Sequence, residues 1–120
     1  MPLRTPGDDH ARNHACFWDG ECLDLTPAYD ICPQPRTGMS ANQAMAVGKW
    51  GRQSSLQNAV SECERFGLGR DEAEAIAEEM TTTVRNNWVE VFADSGVPEG
   101  DRQYLSRATM LSESVFYELD

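Results

Sequence analysis

Gly7-Asp8-Asp9-His10-Ala11-Arg12-Asn13 and, further on, Leu25-Thr26-Pro27-Ala28-Tyr29-Asp30 are the stretches whose reading decides the fold of this chain. Both carry carboxylates, and a short, mostly apolar hairpin-like stretch lies between them. Residues 14–18 and 22–25 flank Asp19-Gly20, and Asp-Gly between two short apolar runs is a strong hairpin signal. The tight turn it favours needs φ > 0 at both central positions. Such a hairpin separates Asn13 from Asp30 in sequence and brings the chain back to the same end of the strand pair. An amide oxygen and a carboxylate would then meet in one place. Two oxygen ligands are enough for Mg²⁺, a hard cation that completes its octahedron with waters and phosphate oxygens.

Asp8 stands five positions before Asn13. That is the spacing of a protein-kinase catalytic loop, in which the Asp accepts the proton of the attacking hydroxyl and the Asn holds Mg²⁺. Asp30, just past a strand, supplies the other metal carboxylate. Asp9 is a competing carboxylate, but it lies only four positions from Asn13, so this register assigns the base to Asp8.

Asp-Asp-His-Ala-Arg-Asn-His followed by Leu-Thr-Pro-Ala-Tyr-Asp-Ile resembles the catalytic loop and metal-binding segment of HipA-like serine/threonine kinases. These are the toxin components of bacterial toxin–antitoxin modules. The likeness is strong over residues 7–35 and continues more loosely, through Gln43-Ala44-Met45-Ala46, to about residue 116. It implies Asp8 as catalytic base, Asn13 as one metal ligand, and Asp30 in the place of the metal-binding Asp of ordinary kinases. It also implies Mg²⁺ and ATP as cofactors, a protein hydroxyl as substrate and an antitoxin as a possible partner. Ile31 and Cys32 follow Asp30 where ordinary kinases have Phe-Gly, as in the HipA-like group.

Neighbouring residues carry two readings each. His10 stands where ordinary kinases place a lysine that reaches the transferring phosphate; it either does that work or braces the loop through the backbone. Arg12 either neutralises phosphate charge or serves as a local ion partner of modest worth. His14 and Tyr29 are expected to pack, Tyr29 beneath the metal loop.

A chain of 120 residues is one domain with a core of ordinary size. It is short for a whole kinase, and neither a glycine-rich phosphate loop nor a strand lysine for the α- and β-phosphates stands before Asp8. Residues 1–6 read as an unrelated start joined to a family sequence. The expectation is a HipA-like C-terminal kinase lobe over 1–120, truncated at its N-terminus, with catalytic loop, hairpin and metal segment at 7–39 and helical scaffold at 54–119. The fold class is mainly α (α+β overall), a helical C-lobe with one small β-hairpin. Such a lobe transfers phosphate only with a separate N-terminal lobe supplied. Otherwise it is a silent remnant or an interaction module for an antitoxin or a partner kinase fragment.

The net charge of −10, from 20 acidic and 10 basic side chains, argues against direct nucleic-acid binding, which rests largely on neutralised phosphates. No apolar run approaches the roughly 18 residues of a membrane span, and no secretion signal opens the chain, so a soluble cytoplasmic protein is expected. Cys16, Cys22, Cys32 and Cys63 form no Cys-x-x-Cys pair, and His10 and His14 add no familiar zinc spacing. Reduced thiols filling small apolar sites are the expectation.

Residues 31–39, with Pro33, Pro35 and Gly38, read as an extended loop, the counterpart of an activation segment. Residues 43–47 read as a short strand or a turn of helix. From Ser54 the period becomes helical: Ser54 caps with Gln57 three residues on, Leu56, Ala59, Val60 and Cys63 share a face, and Gly67 closes the helix. The next helix spans 71–93 with a buried stripe of Ala73, Ile76, Ala77, Met80, Val84, Trp88, Val91 and Phe92. Asp71, Glu72 and Glu74 at its start suit the helix dipole. Pro98 opens a third helix carrying Tyr104, Leu105 and Ala108, and a last amphipathic piece holds Leu111, Val115, Phe116 and Leu119.

Overall fold

A computed structural model describes residues 10–31, 35 and 41–116. Asp8 and Asp9, Cys32, most of the 31–39 loop and Leu119 lie outside the described residues. The described chain is mainly helical, with one two-stranded antiparallel sheet.

The hairpin forms where the Asp-Gly signal puts it. Strand β1 (Cys16–Trp18) pairs with β2 (Leu23–Leu25), Cys16 opposite Leu25, Phe17 opposite Asp24 and Trp18 opposite Leu23. Its turn differs from the expected two-residue type, because the connection spans residues 19–22. Of Asp19 and Gly20, only Gly20 has a positive φ, 107°. Asp19 instead folds the loop with its side chain: Oδ1 accepts the Glu21 and Cys22 N–H groups, each at 2.8 Å. Those bonds hold the Asp19 carboxyl below its ordinary value, the Cys22 N–H contributing most. Cys16 therefore faces Leu25 and not Cys22. Both thiols are exposed, whereas Cys63 fills a small buried site as expected.

Residues 43–47 are neither strand nor helix. They lie between two isolated antiparallel bridges, Asn42 with Gln53 and Gly48 with Gly51. The turn at the second bridge is held by helix α1 (Leu56–Val60). The expected cap moves by one residue: Ser55 Oγ, not Ser54, accepts the Asn58 N–H at 3.2 Å. The buried face moves with it, so Ala59 is exposed and Asn58 is fully buried.

Asn58 satisfies its polar atoms on the turn beside it. Oδ1 accepts the Trp50 N–H at 2.9 Å, and Nδ2 donates to the Gly51 and Gln53 carbonyls at 3.0 and 2.7 Å. Gly48 is required here, since a Cβ on it would stand 2.0 Å from the Asn58 carbonyl oxygen. After α1 the chain makes a 3₁₀ turn, Cys63–Phe66, closed by Gly67 in the left-handed conformation expected of it, φ 73°.

Helix α2 (Arg70–Asp94) is the long element, matching the span read from the sequence to within a residue at each end. Its packing face is narrower than the apolar pattern promised. Ala73 is buried, and Ala77, Thr81, Val84, Trp88 and Phe92 are half-buried, a strip at i+3/i+4 spacing. Ile76, Met80 and Val91, expected in the stripe, are exposed. The covered strip runs nearly the whole length of α2, from Ala73 to Phe92, and at about 100° per residue Ile76, Met80 and Val91 fall along one flank of it. The core cluster is Val60, Cys63 and Ala73, with Leu68 and Ala77 against it.

Pro98 sits at the N-cap of α3 (Glu99–Leu105) rather than inside its first turn. The helix then widens into a single π turn, Ser106–Met110, that buries Ala108 but leaves Tyr104 exposed. The final described piece is a 3₁₀ turn, Glu113–Phe116, with the Arg85 guanidinium 4.8 Å from the Phe116 ring centre. No helix among the described residues is long and apolar enough to cross a membrane.

Candidate metal-binding and catalytic site

Ala11–Asn13 forms one 3₁₀ turn, closed by Asn13 N–H to the His10 carbonyl at 2.9 Å and His14 N–H to the Ala11 carbonyl at 3.2 Å. The hairpin begins three residues later, at Cys16, and its ladder extends by one bond, Thr26 N–H to the Ala15 carbonyl at 2.9 Å. That bond fixes the return of the chain beside the turn it left. Residues 27–30 follow, and Asp30 adopts φ 55°, a left-handed backbone that an Asp tolerates better than most residues.

The result is a direct contact between two residues that the sequence reading singled out. Asn13 Nδ2 donates to Asp30 Oδ2 at 2.7 Å, across 17 residues of sequence. Asn13 is half-buried and Asp30 exposed. The adjacent residues make a second link: the Tyr29 hydroxyl donates to the Arg12 carbonyl at 2.6 Å. Tyr29, expected to pack beneath the loop, is instead exposed and tied to it through its hydroxyl, the polar tip that was the sequence signal for such a partner.

His10 and Arg12 are exposed at the same turn. The His10 carbonyl serves the turn and also lies 3.3 Å from His14 Nδ1. His14, expected to pack, is exposed. Asp8, assigned as base, falls outside the described residues, so the geometry at hand covers Asn13, Asp30, His10 and Arg12.

The donor chemistry suits a hard divalent cation. In a Mg²⁺ octahedron with oxygens at 2.0–2.1 Å, neighbouring ligands stand about 2.9 Å apart. The 2.7 Å between the Asn13 amide and the Asp30 carboxylate is close to that edge. A half-turn of the Asn13 amide exchanges its nitrogen for its oxygen, which makes both atoms acceptors. Among the described residues no group of three or more His, Cys, Asp or Glu side chains gathers to hold a metal. A cation here would draw its other ligands from water or from phosphate.

The family model of the HipA-like C-terminal domain matches residues 3–88, well over half of the chain. The chain belongs to this family. The match takes in residues 8–30 together with α1 and most of α2. It begins at residue 3, inside the stretch read as an unrelated start, and ends before α3. No curated protein and no solved structure gives a significant match.

Proposed function

We propose that this HipA-like domain is the catalytic-loop half of a serine/threonine phosphotransferase that uses ATP and Mg²⁺. In this reading residues 7–39 carry the catalytic loop, hairpin and metal segment, and residues 54–119 form the scaffold of a kinase-like C-lobe. The observation that supports it most is the 2.7 Å contact of Asn13 with Asp30, two side chains that a metal-binding reading requires side by side. Asn13 and Asp30 would hold the ion, which when bound supplies charge neutralisation to a phosphate. Asp8 accepts the proton of the substrate hydroxyl. His10 and Arg12, exposed on the same turn, offer hydrogen-bond donors to phosphate oxygens.

Phosphate and adenine recognition falls to a nucleotide-binding lobe outside residues 7–119, and turnover requires it. A protein hydroxyl is the substrate and an antitoxin the regulatory partner, in keeping with the HipA-like family. One observation favours a second reading, an interaction module without turnover: Trp18, Leu23 and Leu25 share one face of the hairpin and are all more than 60% exposed. Apolar residues gathered in this way mark a docking face. In the enzymatic reading the same face receives the nucleotide-binding lobe.

The metal pair is tested by titrating the ¹⁵N-labelled chain with Mn²⁺ as a paramagnetic stand-in for Mg²⁺. Broadening should begin at the Asn13 side-chain amide and the Asp30 backbone, recede on adding excess Mg²⁺ and weaken at least tenfold in Asp30→Asn. Broadening confined to Asp71, Glu72 and Glu74 at the start of α2 would refute the metal assignment.

A further inference from the structure

We infer that Tyr29 is a positioning residue for the metal pair, its hydroxyl latching the catalytic turn so that Asn13 is presented to Asp30. What the latch serves rests on the proposed function; that the latch sets the Asn13–Asp30 contact does not. A single 3₁₀ turn has poor hydrogen-bond geometry and little stability of its own. The turn Ala11–Asn13 buries no residue, and its N-cap, His10, makes no side-chain cap bond, although His14 Nδ1 lies 3.3 Å from the His10 carbonyl. Its two internal bonds use the His10 and Ala11 carbonyls. The Arg12 carbonyl is the next in line, at the end of the turn where helical carbonyls lack intrahelical partners. The Tyr29 hydroxyl takes it at 2.6 Å.

The two links between the segments are in step: Arg12 with Tyr29 and Asn13 with Asp30, each 17 residues apart. In an extended chain consecutive side chains point to opposite faces, so Tyr29 and Asp30 could not both reach one turn. The left-handed backbone at Asp30, φ 55°, breaks that alternation and lets both side chains reach it. Strain of this kind persists only where the surroundings hold it, and the paired bonds do so. Because Tyr29 grips a backbone carbonyl, it fixes the turn whatever the Arg12 side chain does.

Tyr29→Phe removes the hydroxyl and keeps the ring. In the full, metal-free chain, water exchange of the Asn13 Nδ2 protons, read by ¹⁵N NMR, should quicken about fivefold, the worth of one ordinary hydrogen bond. Unchanged amide shifts at Phe17 and Asp24 would show that the hairpin is intact. Asn13 exchange equal in the two proteins, or unprotected already in the wild type, overturns the proposal. A parallel Mn²⁺ titration separates the two claims. Affinity about fivefold weaker in Tyr29→Phe supports both. Faster exchange with no Mn²⁺ binding even in the wild type sustains the latch while removing the metal reading.

Discussion

Replacing Asn58 by Ala should cost more than any apolar truncation on the exposed side of α2, although Asn58 is polar and far in sequence from the metal pair. Its side chain is fully buried and makes three hydrogen bonds, from the Trp50 N–H and to the Gly51 and Gln53 carbonyls. Each is worth roughly 0.5–1.5 kcal/mol net, so losing all three costs about 3 kcal/mol; the Trp50 N–H loses its acceptor, while the Gly51 and Gln53 carbonyls keep the Val47 and Ser55 N–H groups. The Ser55 cap survives, because it accepts from the Asn58 backbone N–H. Asn58→Asp is the sharper variant. It keeps the acceptor for Trp50 but turns a carboxylate oxygen toward two carbonyls at 2.7 and 3.0 Å, so it should be at least as damaging as Ala. Urea unfolding followed by circular dichroism measures both. Asn58→Ala within about 0.5 kcal/mol of wild type, the range of ordinary surface changes, would refute the view that this side chain ties residues 48–53 to α1.

Two further outcomes follow from the geometry. Asp19 has its carboxyl lowered from 3.8 by the Cys22 and Glu21 N–H groups, so its stabilisation of the hairpin loop is present above pH 3.8 and is lost as pH falls through the lower folded value. The Glu21 and Cys22 amide shifts should titrate with a midpoint below 3.8 and stay flat in Asp19→Asn; a midpoint at or above 3.8 would count against the loop geometry. Met80→Gln should change stability by less than about 0.5 kcal/mol, because Met80 is 65% exposed. A loss of 2 kcal/mol or more in thermal unfolding would instead place it in the buried stripe that the apolar pattern suggested.

The parts of the fold that were legible in the sequence are those governed by local chemistry. Asp19-Gly20 between apolar runs marked the hairpin, Gly67 marked a left-handed closure, and the acidic first turn and apolar period marked α2. Less legible were features set by what lies opposite. Ser54 and Ser55 offer the same hydroxyl, and the neighbouring turn decides which one caps. Asn58 escapes an apolar-period reading because its burial depends on three backbone groups several residues upstream. Ile76, Met80 and Val91 fit the helical stripe, yet they fall on the flank of the strip that packs and stay exposed. At the site, the Asn13–Asp30 pairing follows from a hairpin between two motifs. The Tyr29 link needed the backbone conformation of Asp30, which no spacing discloses.

The most direct test of the phosphotransferase reading is transfer itself. The chain is joined to the nucleotide-binding lobe of a HipA-like kinase, ATP binding by the fusion is verified, and phosphate incorporation into protein is followed with labelled ATP and Mg²⁺. Transfer should return and should fall by ~10²–10⁴-fold in Asp8→Asn, the usual worth of general-base assistance, with nucleotide binding largely kept. Asp30→Asn should lower both transfer and Mg²⁺-dependent ATP binding, and Asp9→Asn should leave both near the parent level. A fusion that binds ATP but transfers nothing would contradict the enzymatic account in favour of the docking module. Loss in Asp9→Asn with Asp8→Asn intact would overturn the assignment of the base.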